Sequence, residues 1–157
     1  MAYNVIDIID KAICIEERTK KIITKAGKDK ENDIRIKVMS KVIIEQLNKS
    51  IKKYCEIKEQ YKNEELEEID FMSYDKISFL INEFNSKVYF PDIKNPIEYL
   101  QFALDLSKER YSLFIDLQGR LANNIGNVEN QTYDILSMII NRIKEEISSI
   151  ENAIKRH

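Results

Sequence analysis

Apolar residues recur along this chain at helical spacing, and the same pattern is written twice. Ile43, Ile44, Leu47, Ile51 and Tyr54 coincide, position for position, with Ile139, Ile140, Ile143, Ile147 and Ile150. Steps of four, four and three residues keep such side chains on one stripe of a helix of about 3.6 residues per turn. A second echo precedes each copy. Asn4–Arg18 lines up with Asn95–Arg110, pairing Ile6 with Ile97, Ile9 with Leu100, Ala12 with Ala103, Ile13 with Leu104 and Ile15 with Leu106. The pattern predicts one helical hairpin repeated.

The first helix is expected over about Asn4–Ala26, with Asn4 as N-cap, Gly27 as the stop and Ile6, Ile9, Ile13, Ile22 and Ile23 facing inward. A polar turn, Lys28–Asn32, leads to a second helix over Asp33–Tyr61, short enough to set the two antiparallel. The acidic run Glu64, Glu65, Glu67, Glu68 and Asp70 is read as extending or fraying the second helix. Ser73-Tyr74-Asp75 is read as the cap of a short helix, Lys76–Phe84, whose Ile77, Leu80, Ile81 and Phe84 share a face. Val88–Pro91 is extended, because a residue before proline avoids the helical region. Asn95-Pro96 then opens a helix as cap and first-turn proline, with Ile97, Leu100, Leu104, Tyr111, Phe114 and Leu117 on its inner face. That helix is expected to end near Arg120 or Leu121, with 122–127 as a turn and a last helix over Glu129–Lys155. The expected fold is all-α: an antiparallel four-helix bundle in one domain, 1–157, with hairpins at 4–61 and 96–155. The long crossover, 62–95, contains the short helix.

Composition agrees with long amphipathic helices. The 157 residues are 43% hydrophobic and 33% charged, with three Gly and two Pro; a chain this long buries roughly 70% of its unfolded surface. No apolar run reaches the ~20 residues that span a membrane, and Asp7 and Asp10 break the N-terminal apolar stretch, so no signal peptide is read and a cytoplasmic protein is expected. Cys14 and Cys55 stand alone in sequence and read as reduced, partly buried thiols. The net charge of −2 argues against a nucleic-acid partner. Even so, residues 1–60 carry 14 basic against 10 acidic side chains. The excess gathers at Lys20, Lys21, Lys25, Lys28, Lys30, Arg35, Lys37 and Lys41, a solvated end with an anionic partner as the alternative. The aromatics Tyr74, Phe79, Phe84, Tyr89 and Phe90 read as packing in the crossover. Tyr3, Tyr99, Tyr111 and Tyr133 are read as covering helix flanks or a dimer interface.

The stretch from Phe90 to Leu106, the Ile139-Ile140 pair with the apolar spacing after it, and the internal repeat resemble the ferritin-like superfamily, nearest its rubrerythrin branch, over almost the whole chain. The resemblance implies a mid-bundle di-iron site built from a Glu on each of two helices and a Glu-x-x-His pair on each of the others, since positions i and i+3 share a face. Carried over by position, the slots are Glu16 and Ser107 on the first and third long helices, Leu47 and Ser50 on the second, and Ile143 and Glu146 on the fourth. Another register would place Glu45 and Asn48 in the second-helix slots, but it would push Ile44 and Leu47 off the shared stripe. Only Glu16 keeps its family residue type, and the chain's one histidine is His157.

The ligands implied by the resemblance are therefore mostly replaced, and Leu47 and Ile143 are expected to fill the space of the metal. Glu16 and Glu146 would then meet in a metal-free centre, with burial and mutual repulsion raising at least one pKa. Ser50 and Ser107 are expected to hydrogen-bond them, with Tyr111 or Arg110 assisting. The expected function is that of a non-catalytic binding or self-associating protein, a homodimer or one with an unidentified protein partner, without cofactor, catalytic residue, membrane or nucleic acid. The alternative is a rubrerythrin-like oxidoreductase acting on peroxide or oxygen, with iron held by carboxylates alone: Glu16, Glu146 and, less favoured, Glu45. An iron-storage subunit would need a ferroxidase site and a cage, and the ligand losses argue against it.

Overall fold

A computed structural model gives the fold and describes residues 3–28, 30, 33–125 and 131–156. The described chain is all-α, with α1 at Val5–Lys28, α2 at Ile34–Tyr61, α3 at Phe71–Asn85, α4 at Pro96–Ile125 and α5 at Gln131–Lys155. The residues 126–130 between α4 and α5, and the terminal His157, lie outside the described residues.

Local chemistry sets most of the boundaries. The Asn4 side chain accepts from Ile6 N at 2.9 Å, and Asp7 accepts from Asn4 N at 2.9 Å, a reciprocal cap that satisfies two otherwise orphaned donors. Asp33 caps α2 by accepting from Arg35 N. Asn95 caps α4 through Glu98 N at 2.9 Å, while Glu98 reaches back to Lys94 N at 2.7 Å.

Four expectations about element limits are corrected. Gly27 does not stop α1; it lies inside the helix and against α4, where an added Cβ would sit 3.0 Å from Tyr99 Oη. This glycine serves close approach. The acidic run neither extends nor frays α2. Its chain leaves the helix and makes an isolated bridge, Ile69 N donating to Tyr3 O at 2.7 Å, and its last member, Asp70, caps α3 through Ser73 N and Ser73 Oγ. That cap starts α3 at Phe71, five residues before the expected Lys76, because Asp70-x-x-Ser73 is the better N-terminal signal. Finally, α4 runs through the first part of the expected 122–127 turn to Ile125, as nothing between Gly119 and Gly126 is a strong helix breaker.

Helices α1 and α2 pack along each other, as do α4 and α5; α2 also meets α4 and α5, α1 meets α4, and α3 lies on α4. The apolar interior comes in two parts. One joins the first half of α1 to the second half of α2, α3, the second half of α4 and the first half of α5; the other joins the remaining halves. Such pairing means that α1 and α2 are antiparallel, as are α4 and α5.

Four side-chain expectations also change. The buried stripe of α1 is Val5, Ile8, Ile9, Ala12, Ile15, Glu16, Thr19 and Ile23, leaving Ile6, Ile13 and Ile22 half-buried at its edge. On α4, Ile97 is exposed, whereas Tyr99 is fully buried and donates to Ile23 O at 3.1 Å. In the crossover Phe84 packs inward, but Phe79 is 67% and Phe90 88% exposed. Both cysteines are free and exposed; Cys14 is two positions from buried Ala12 and from buried Glu16, which turns it to the solvent side of α1.

Candidate functional site: a buried Glu–Arg–Glu centre

Between the two apolar parts lies a belt of polar side chains that no solvent reaches. Glu16 on α1, Ser50 on α2, Ser107 and Arg110 on α4 and Glu146 on α5 are each at most 2% exposed. Leu47 and Ile143 are equally buried beside them, while Glu45 points outward. Four helices thus converge on the positions read from the sequence, and Glu45 is left out.

Arg110 joins them. Its Nη1 stands 2.5 Å from Glu16 Oε2 and 2.9 Å from Glu146 Oε2, and its Nη2 donates to Ser107 Oγ at 2.8 Å. Its Nε donates along its own helix to Leu106 O at 3.3 Å. The approach to Glu146 Oε2 is close but off the N–H direction, a charge contact without an aligned hydrogen bond. The other Glu146 oxygen accepts from Ser50 Oγ, which in turn accepts from Arg142 Nε at 2.8 Å. Arg142 also donates to Gln46 Oε1 at 2.6 Å, tying α2 to α5 outside the centre, and to Glu145 of its own helix at 2.5 Å. Tyr54 Oη donates to Glu16 Oε1 at 3.3 Å.

Burial pushes the Glu16 carboxyl up from 4.5 to about 8; Arg110 pulls the other way, and the Glu146 charge adds to the rise. The short, aligned contact with Arg110 favours an ionised Glu16, but desolvation outweighs it. Arg110 itself loses hydration, which would lower its pKa, yet the Glu146 and Glu16 charges overcompensate and hold the guanidinium protonated. Burial likewise drives the Tyr54 phenol well above its ordinary value, helped by the Glu16 and Glu146 charges. Near neutral pH, Glu16 therefore keeps its proton. A buried guanidinium and a carboxyl, each with further hydrogen bonds, is the arrangement in which such an ion cluster is tolerable.

Sequence reading gave Arg110 only an assisting role, yet it is the centre's cation. Ser107, Arg110, Phe114 and Leu117 recur along one stripe, so an arginine at a core position of α4 was the available signal. Tyr111, the other expected assistant, lies half-buried away from the centre with Lys144 5.9 Å over its ring. Arg142 carried no sequence signal.

The two metal ions that the resemblance implies do not fit this donor set. The centre offers two carboxylates, both already facing Arg110, and among the described residues no three His, Cys, Asp or Glu side chains gather to hold a metal. No family model, no curated protein and no solved structure matches the chain.

Proposed function

We propose that this chain is a ferritin-like four-helix bundle of the rubrerythrin kind, with α1–α2 and α4–α5 as its hairpins and α3 in its crossover, in which a protein cation has taken the place of the di-iron centre. The observation that supports this reading most is Arg110 Nη1 lying within 2.9 Å of carboxylates from two other helices. A guanidinium there neutralises the charge a metal would neutralise, and it exchanges neither electrons nor ligands. The centre then holds the helices in register, and the protein acts as a non-catalytic binding or self-associating protein, with a cytoplasmic homodimer as the simplest form.

Self-association has a surface to use. Ile34, Val38 and Val42, at i, i+4 and i+8 on α2, are 73%, 55% and 45% exposed and form an uncovered apolar stripe.

The test of the core reading is metal content after anaerobic incubation with excess Fe(II) and desalting. Near-zero iron, with an unchanged melting temperature, is the expected result. Two irons per chain would overturn the proposal in favour of an oxidoreductase with a carboxylate site, and peroxide turnover would then be the assay.

A further inference from the structure

The basic end of the molecule has a hollow. Where residues 87–93 cross α1, a cavity of about 570 Å³ opens between them, within the size range of small-molecule sites. Its wall is apolar, built from Ile22, Ala26, Tyr89, Phe90, Pro91 and Ile93, and its rim carries the cations Arg18, Lys25, Lys30 and Lys87 against one acid among the described residues, Asp92.

The rim cations are not equivalent. Arg18 is held in place, donating to Lys87 O and lying 5.9 Å over the Tyr89 ring, and Lys87 is 3.8 Å from Glu109. Lys25 and Lys30 have no carboxylate within ion-pair distance among the described residues. Among the described residues, nothing neutralises their charge at the mouth. The apolar side is similarly unsatisfied: Phe90 is 88% and Val88 74% exposed, side chains that a cavity occupant would cover.

We propose that this groove binds a small organic anion, a carboxylate or sulfonate on an apolar aryl or alkyl body. The body lies on Ile22, Tyr89 and Phe90, and the anionic head faces Lys25 and Lys30. Both halves are needed. Lysines alone would take any anion, and the apolar wall alone would take neutral solutes. This inference is independent of the buried centre and survives if that reading fails.

The probe is 8-anilinonaphthalene-1-sulfonate, followed by its fluorescence on titration into the full chain. Saturable one-to-one binding is expected, weakening with added salt and displaced by octanoate but not by inorganic phosphate. The double variant Lys25→Glu/Lys30→Glu should lose affinity by roughly tenfold or more, as charge reversal at a shared head group implies. Phe90→Ser, at an exposed position, should weaken binding with the fold intact by circular dichroism. Equal affinity in both variants would overturn the proposal by placing the probe elsewhere. Displacement by phosphate as readily as by octanoate would reduce the groove to a plain anion surface. A dimer lost in Phe90→Ser would assign the groove to a second copy of the chain.

Discussion

The two hairpins are written to the same apolar pattern but divide the polar work between them. Extending the offset that pairs Ile15 with Leu106 sets Glu16 opposite Ser107 and Thr19 opposite Arg110; the offset that pairs Ile51 with Ile147 sets Ser50 opposite Glu146. All six polar residues, Glu16, Thr19, Ser50, Ser107, Arg110 and Glu146, are buried. At each pair, one hairpin supplies a charge and the other a small hydroxyl. Thr19 merely donates to Ile15 O within its own helix at 2.8 Å, whereas its counterpart Arg110 reaches across to Glu16 and Glu146. A repeated scaffold thus tolerates one ion cluster at its centre because the opposite copy yields the volume. The outer faces differ in the same way: exposed Val38 on α2 has Asp134 as its counterpart on α5.

The largest effect should come from removing the shared cation. Arg110→Met leaves two buried carboxyls facing each other and should cost about 3–5 kcal/mol in urea unfolding. Replacing the cluster as a whole, with Glu16→Leu and Glu146→Leu added, should recover most of that loss, because an apolar set of similar volume avoids the desolvation of charge. Moving the cation to its repeat equivalent sharpens the comparison. Thr19→Arg in an Arg110→Thr background should be more stable than Arg110→Thr alone; no gain would show that the two hairpins are interchangeable in apolar pattern only.

The pH dependence is more gradual, spread over several pH units. The Glu16 carboxyl has a folded pKa of about 8 against an ordinary 4.5, so between those values the folded chain keeps a proton that the unfolded chain releases. The contribution is fully present below about pH 4.5 and lost as pH rises to 8, with a slope on the order of 1 kcal/mol per pH unit. Glu16→Gln should flatten that part of the stability profile. An identical slope in the variant would mean that Glu16 is ionised across the whole range.

The smallest effect on stability belongs to the surface. Val38→Glu/Val42→Glu should change unfolding free energy by no more than about 0.5 kcal/mol, yet shift the protein to monomer in sedimentation velocity. A dimer that persists would remove α2 from the interface.

The sequence by itself determined the helices and most of the buried faces of α2, α4 and α5, because a repeat at 3.6-residue spacing admits few other arrangements; on α1 it set the stripe to one side of the buried one. The ferritin-like resemblance, carried over by position, also put Glu16, Ser50, Ser107 and Glu146 on inward positions, and the preferred register of α2 agrees with where Leu47 and exposed Glu45 lie. Caps were legible where the signal was local, as at Asn4 and Asn95. They were misread where two signals competed, as with Asp70 and Ser73-Tyr74-Asp75. Only the tertiary structure decided that Gly27 is a contact rather than a stop, since the approach of Tyr99 comes from 72 residues away. Only it showed that a guanidinium, rather than a shared proton alone, separates the two carboxyls. A long, flexible side chain such as that of Arg110 can turn to solvent or to core from nearly the same backbone position. The choice is made by what the other three helices present to it.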